Sequence, residues 1–503
     1  MPYTVASLME TKIKRGGSAR TQSADVSEMG ADNALKACRK YLQDFTDEYR
    51  NLSHEEKQAR IKSKIHEYVM KARPLVTGFL TPDKQLDTQL LVEWLIQEIT
   101  DRGILTAPLS DPDVNEVRIN GPEIWIEKKG RTMTLKDAAG NQVRFRNPEE
   151  QEIVINKLLG DTRISGVYRL VSARTAEGYR VAAVHKSAAS SDPHKPYDER
   201  YAYAVLRKFE TNKMDLSQIV QTRAASDSMA KLFAIFPRGG VPWMTVGPTA
   251  SGKTTSNNAI IMCTPTNIRI ILAQNPSEID ARQRDYQGYV INDVVHLEAV
   301  DTTGAEYAAT MENIMNHILR LSPQYVCFGE LRTNAEFKLA MKIALAGHPV
   351  NCTFHAENAI GAVSRFLMAY LTETPNEPPE LALAELSQCL RFIVVQRIMA
   401  DGTRKILQVS ELVGVDPNDK TKPDIRDIFV FEPDGEPEVD AAGNVLNIHG
   451  KHKRVGKISD ELVRRLKRAG VQKEQYEFLT KDPDEQETYT GKIEFDFLNK
   501  RYL

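Results

Sequence analysis

The stretch GPTASGKTT at residues 247–255 constrains this chain more than any other. Gly247, Gly252, Lys253 and Thr254 fill the pattern of Gly, four residues, then Gly-Lys-Ser/Thr. Glycines let successive N–H groups turn inward around an anion. The helix that follows such a loop adds its positive dipole end to the same point. Val241–Val246 (VPWMTV) reads as the buried strand before the loop, and Thr255–Met262 reads as the helix after it. Lys253 has the reach for β- and γ-phosphates, and the Thr254 hydroxyl is a Mg²⁺ ligand by type. Pro248, Thr249, Ala250, Ser251 and Thr255 complete the expected nucleotide-binding loop. A chance match in a chain of this size has a probability of roughly one in a hundred, so a Gly-rich turn of another kind is the weaker reading.

The remainder of the chain must supply a covered sheet for that loop. Hydrophobic content of 41% and charged content of 27% suit a soluble protein with sizeable cores, and 503 residues allow about three domains. A net charge of −2 argues against a nucleic-acid partner. The five cysteines are scattered, three of them in or beside apolar runs, and read as buried hydrophobes in a reducing compartment. No apolar run has the length to cross a bilayer, and no apolar stretch follows the early basic residues as in a secretory signal. The expected location is the cytoplasm, with any membrane role peripheral.

Patterning divides the chain. Residues 1–30 lack periodicity and read as a disordered N-terminus. A helical element is expected over 31–85 and an α+β domain over 86–210, the latter beginning with an amphipathic helix at Asp87–Thr100. A linker is expected at 211–225. From 226 to 415 helix and strand patterns alternate, as a mostly parallel, doubly covered α/β sheet requires. Residues 416–503 form a C-terminal extension with a strand (DIFVFEP) and a basic helix (ISDELVRRLKRAG).

Further segments follow in order: RLSPQYVCFGELR at 320–332, AGHPV at 346–350 and TFHAEN at 353–358. With the phosphate loop, this series resembles the type II/IV secretion ATPases, the motors of secretion systems and pili. DPDVNEVRINGPEIWIEKKGR at 111–131, GYRVAAVHK at 178–186, YAVLRKF at 203–209 and RDIFVFE at 426–432 resemble the CpaF/TadA branch in particular. The resemblance spans about residues 86–472. It implies a RecA-like P-loop ATPase core behind an α+β N-terminal domain. It also implies a hexameric ring that uses ATP and Mg²⁺ and works against an inner-membrane platform protein, at the inner face of the cell membrane.

Carried over residue by residue, the resemblance places Glu330 at the Walker B glutamate, where a carboxylate polarises the attacking water and helps hold Mg²⁺. His355 matches the family's histidine box and is expected to sense the γ-phosphate. His348 also matches, with structural use an equal reading. Arg320 and Arg332 match arginines near the nucleotide. Arg180 and Arg207 match arginines of the N-terminal domain that reach toward phosphate, a task suited to a planar, permanently charged group. One segment departs from the family. Its acidic box is replaced by Gln274, Asn275 and Pro276, with Glu278 four residues on as a possible substitute. Amides neither accept a proton near neutral pH nor bind Mg²⁺ as carboxylates do. Restoring a carboxylate at 274 is therefore expected to raise turnover if the box is catalytic. Asn316 and Thr333 likewise stand where an arginine and an aspartate are usual. Two other readings stay open: a nucleotide-binding regulatory or structural ring subunit with weak hydrolysis, and a DNA-translocating motor, which the charge balance disfavours.

Overall fold

The computed structural model describes residues 30–496 together with 501–502, apart from 46–53, 82, 84, 101, 129–130, 160–161, 176, 190–195, 197–198, 209–212, 276, 300–308, 442, 484–486 and 493–494. The expected disordered N-terminus at 1–30, except Gly30, and Pro276 of the box fall outside the described residues. The chain forms two compact units, Met1–Asn212 and Lys213–Leu503.

The first unit opens with helices α1 (Ala31–Gln43), α2 (His54–Ala72) and α3 (Thr88–Thr100). Their apolar stripes close on one another through Leu35, Cys38, Ile61, Ile65, Leu91 and Leu95, all buried. Helix α3 therefore belongs to the helical element, which runs to about 100 and not to 85. Its stripe finds partners on α1 and α2, and periodicity alone names no partner. After a short helix α4 (Thr106–Ser110) come β1 (Val114–Asn120), β2 (Glu123–Lys128) and β3 (Arg131–Thr134). Helix α5 (Pro148–Leu159) and strands β4 (Leu170–Arg174), β5 (Arg180–Val184) and β6 (Tyr203–Arg207) complete the unit. The six strands pair antiparallel in the order β3-β2-β1-β6-β5-β4. Alternate residues, among them Val117, Ile119, Val181, Ala183, Ala204 and Leu206, face Val154, Ile155, Leu158 and Leu159 of α5 in one apolar core. This is the α+β domain expected from the strand-rich pattern.

The second unit begins earlier than expected. Where a linker was read at 211–225, helix α6 (Leu216–Gln221) buries Leu216, Ile219 and Val220, and Asp215 with Gln218 forms a capping box at its start. Helix α7 (Asp227–Arg238) leads into β7 (Trp243–Val246), the phosphate loop and α8 (Lys253–Ile261). Then follow β8 (Ile270–Gln274), β9 (Val294–Glu298), α9 (Met311–Ile318), β10 (Tyr325–Phe328), α10 (Asn334–Leu345) and β11 (Val350–Phe354). Helices α11 (Ala359–Glu373) and α12 (Pro379–Cys389) precede β12 (Phe392–Ile398), β13 (Arg404–Val415) and β14 (Pro423–Pro433). A small pair, β15 (Glu438–Val439) and β16 (Val445–Asn447), precedes β17 (Gly450–Arg454) and α13 (Asp460–Arg468).

Strands β12, β7, β11, β10, β8 and β9 are neighbours in that order and all parallel. Both faces are covered. Trp243, Ile270, Leu272, Tyr325 and Cys327 pack with α6, α7, α8 and α13, while Met244, Ile271, Ala273, Val326 and Phe328 pack with α9 to α12. The fold is an α/β, RecA-like P-loop core, as expected. The same sheet continues antiparallel through β13, β14 and β17, so much of the extension read at 416–503 is integral to the core. No described helix is long and apolar enough to cross a membrane.

Candidate nucleotide site

The phosphate loop sits at the C-terminal end of β7, between the ends of β11 and β12. Gly247 is required by space and Gly252 by its left-handed backbone. A Cβ on Gly247 would lie 1.9 Å from the Gln396 backbone oxygen, and one on Gly252 would lie 2.8 Å from Gln396 Nε2. Gly252 is the N-cap of α8 at φ 93°, and Ala250 at the loop apex is left-handed at φ 63°. Arg404 Nε donates to the Ala250 oxygen at 2.9 Å, which braces that apex. Helix α8 carries Trp243's partner: Trp243 Nε1 donates to Asn257 Oδ1 at 2.8 Å inside the core.

The catalytic candidates meet at this loop. Lys253 is buried, and its ammonium donates to the oxygens of Gly247 and Pro248 at 2.9 and 2.8 Å. His355, one residue beyond β11, directs Nδ1 at the Gly247 oxygen (3.0 Å) and Nε2 at Glu330 Oε1 (3.1 Å). Nδ1 also lies 3.5 Å from Lys253 Nζ, so the ring joins the lysine to the carboxylate. Glu330 follows β10, and Arg332 holds its Oε2 through Nε at 2.8 Å and Nη2 at 2.6 Å. Lys253, His355, Glu330 and Arg332 form one connected line from the phosphate loop to the end of the neighbouring strand but one. Parallel strands that end together put these residues, distant in sequence, at one crevice.

These residues fit a Mg²⁺-bound nucleoside triphosphate. Lys253 spends its charge on loop carbonyls that a phosphate oxygen would replace. Ser251 Oγ is fully buried without a partner among the described residues. Thr254 stands in the first turn of α8, where its hydroxyl and the Glu330 carboxylate are the metal-ligand types of the site.

Other expected residues go elsewhere. Arg320 is exposed on the turn before β10, and His348 lies in the turn before β11. Both stand at the N-terminal edge of the sheet, one strand length from the loop, about 13–17 Å at ~3.3 Å per residue. A catalytic role for Arg320 at its own chain's phosphate loop is therefore corrected, because a guanidinium cannot span that distance. Arg180 and Arg207 belong to the first unit, where they stand directly opposite each other on β5 and β6 in a row with Glu116 and Arg174. Thr333 is explained as the N-cap of α10, in a capping box with Glu336.

Gln274 has a different task from the one expected of it. Its fully buried amide accepts from the N–H groups of Glu278 (2.9 Å) and Ile279 (2.7 Å) and donates to the Ile279 oxygen (3.0 Å) and Ser277 Oγ (3.2 Å). It braces the loop after β8, and its side chain packs beside Gly329, where an added Cβ would lie 3.1 Å from Gln274 Cγ. Glu278 joins this brace through its backbone. Gln396 and Arg404 were not anticipated. The polar pair Gln396-Arg397 ends the apolar run FIVV, but nothing in that pattern marks contact with the loop, and no local signal marks Arg404.

A family model described as type II/IV secretion system protein matches residues 99–440, and the chain belongs to that family. Among curated relatives, an uncharacterized protein of Methanocaldococcus jannaschii is 26% identical over 235 residues, covering 46% of this chain and 40% of that protein. The type II secretion system protein E of Xanthomonas campestris pv. campestris is 27% identical over 197 residues, covering 38% of this chain and 29% of that one. The match thus spans less than half the length of either relative. Among solved structures, the Legionella pneumophila ATPase DotB is similar at 20% identity with a TM-score of 0.44, covering 63% of this chain and 80% of that one.

Proposed function

We propose that this chain is an ATP-hydrolysing motor subunit of the CpaF/TadA branch that powers pilus assembly or secretion. The observation that carries the reading is the line from Lys253 through His355 to Glu330 at the end of a parallel sheet. Lys253, the loop N–H groups and Thr254 would hold Mg²⁺ and the phosphates of ATP. Magnesium supplies charge neutralisation at the transferred phosphoryl group. Glu330 orients and deprotonates water, and His355 links its carboxylate to the loop that phosphate occupies. In the resting arrangement Arg332 and His355 both hold Glu330, so hydrolysis requires that this grip loosen when nucleotide binds.

The same reading includes a homo-hexameric ring in which Arg180 and Arg207 reach phosphate, an inner-membrane platform protein as partner, and a cytoplasmic location at the membrane's inner face. Its support is the family membership together with the row of arginines on one face of the N-terminal sheet. A second reading, a ring subunit with weak hydrolysis, is favoured by one observation: Gln274 is a structural amide at a position where the resemblance implies an acidic residue. Steady-state phosphate release from the parent chain and Glu330→Gln separates the two. The motor reading expects turnover that falls at least about tenfold in the variant. Equal release from both chains would overturn it.

A further inference from the structure

The phosphate loop is gripped from one side by a hairpin that no comparison assigns to it. At the β12–β13 pair the register shifts between Val395 and Gln396, so that Val395 faces Gln408 but Gln396 faces Ile406. A bulge of this kind re-aims a side chain, and bulges concentrate beside active sites. Here the extra residue, Leu407, lies on β13, opposite the point where Gln396 packs under the loop. The Gln396 backbone oxygen occupies the space of a Cβ on Gly247, and its Nε2 occupies that of a Cβ on Gly252. One residue therefore touches both anchoring glycines. Gln396 is 2% exposed, and among the described residues no donor reaches its Oε1. Few buried polar atoms go unpaired, and each one that does calls for an explanation such as a functional role. On the partner strand Arg404 holds the Ala250 oxygen, which closes the hairpin's grip on the apex. Arg397 ties the same strand end to Glu357, two residues past His355, at 2.8 Å.

We propose that Gln396 is a positioning residue of the nucleotide site, its amide oxygen accepting a phosphate-loop N–H once Lys253 leaves the Gly247 and Pro248 oxygens for phosphate. The proposal rests on the nucleotide-site reading above. It makes the hairpin a sensor of loop occupancy. Gln396 touches the loop and not the reacting atoms, so its effect falls on nucleotide affinity more than on turnover at saturation.

The test titrates Mg·ATP into the full chain, Gln396→Ala, Gln396→Glu and Lys253→Ala, and records the melting temperature of each nucleotide-free chain. Gln396→Ala is expected to melt close to the parent, bind at least about tenfold more weakly, and retain turnover at saturating ATP within about twofold. Gln396→Glu places a buried carboxylate beneath the phosphates. Burial raises the pKa of such a group, so its binding should be weakest near pH 8 and recover toward the Gln396→Ala value as pH falls to about 6. A merely structural residue would lower the melting temperature and leave the affinity of the folded chain unchanged, so weaker binding at an unchanged melting temperature marks positioning. If Gln396→Ala does not fold, Gln396→Met keeps the volume and is read the same way. Parent binding that is lost in Lys253→Ala but unchanged in both Gln396 variants overturns this proposal alone. Absence of binding by the parent overturns the nucleotide site and this proposal together.

Discussion

Replacing Gln274 by glutamate separates a structural amide from a vacant catalytic position. The amide makes four contacts in a site with no solvent access. Glutamate keeps the two backbone N–H donors facing Oε1, but it turns the second oxygen against the Ile279 carbonyl at the distance where Nε2 now donates, 3.0 Å. The Ile279 oxygen loses its donor, worth about 1–3 kcal/mol for a buried group. A charge is also placed in the interior, only partly repaid by the two N–H groups. A loss of about 2–4 kcal/mol at neutral pH follows, a large share of the ~5–15 kcal/mol by which domains are stable. Protonation would let the new carboxyl donate to Ile279. Its folded-state pKa is therefore raised, and the penalty, full at pH above that value, shrinks as pH falls through it. Urea unfolding at about pH 7.5 and pH 5 reads this directly. Because Gln274 packs on Gly329, next to Glu330, turnover should fall with stability. A variant as stable as the parent at pH 7.5 that also hydrolyses ATP faster would refute the bracing argument and restore the acidic-box reading.

Gly247→Ala should abolish nucleotide binding and cost about 1–3 kcal/mol by overpacking, because its Cβ meets the Gln396 backbone and not a movable side-chain end; calorimetry and thermal melting check both. His452 predicts an acid sensitivity of the second unit. It is buried, donates Nε2–H to the Ile406 oxygen at 2.9 Å and faces Tyr489 Oη through Nδ1, and burial pushes its pKa down to about 4 from 6.5. As pH falls from 6.5 toward 4 the unfolded chain takes a proton that the folded chain refuses, so up to about 3 kcal/mol of stability is lost in that window. His452→Gln should flatten that part of the unfolding-against-pH curve. Light scattering with a non-hydrolysed ATP analogue should find a hexamer, and a strict monomer at micromolar concentration would count against the ring.

Much of this was legible in the residues, for definable reasons. Glycine spacing has a local cause, so GPTASGKTT identified its loop, strand and helix without tertiary information. Glu330 and His355 meet at one crevice because each follows a short apolar run, and parallel strands bring such ends to one edge. Arg320 and His348 instead precede their strands, and the strand length separates them from the loop. Helix α3 showed an amphipathic stripe, while the six residues of α6 were too few to stand out from a linker, and neither pattern says what covers it. For α3 the cover was the helical element, and for α6 the core. Gln396 and Arg404 could not be read from pattern, because a bulge and a 150-residue separation deliver them to the loop. Gln274 misled because residue type suggested absent chemistry, while its four bonds lie within its own turn.

The central claim is that residues 247–255 bind the phosphates of ATP through Lys253. Calorimetric titration of Mg·ATP into the parent chain and Lys253→Ala tests it most directly. The account predicts saturable binding by the parent and a loss of at least about a hundredfold in the variant, since removing the ammonium leaves the phosphates without their bridging cation. Equal affinity in the two chains would contradict it.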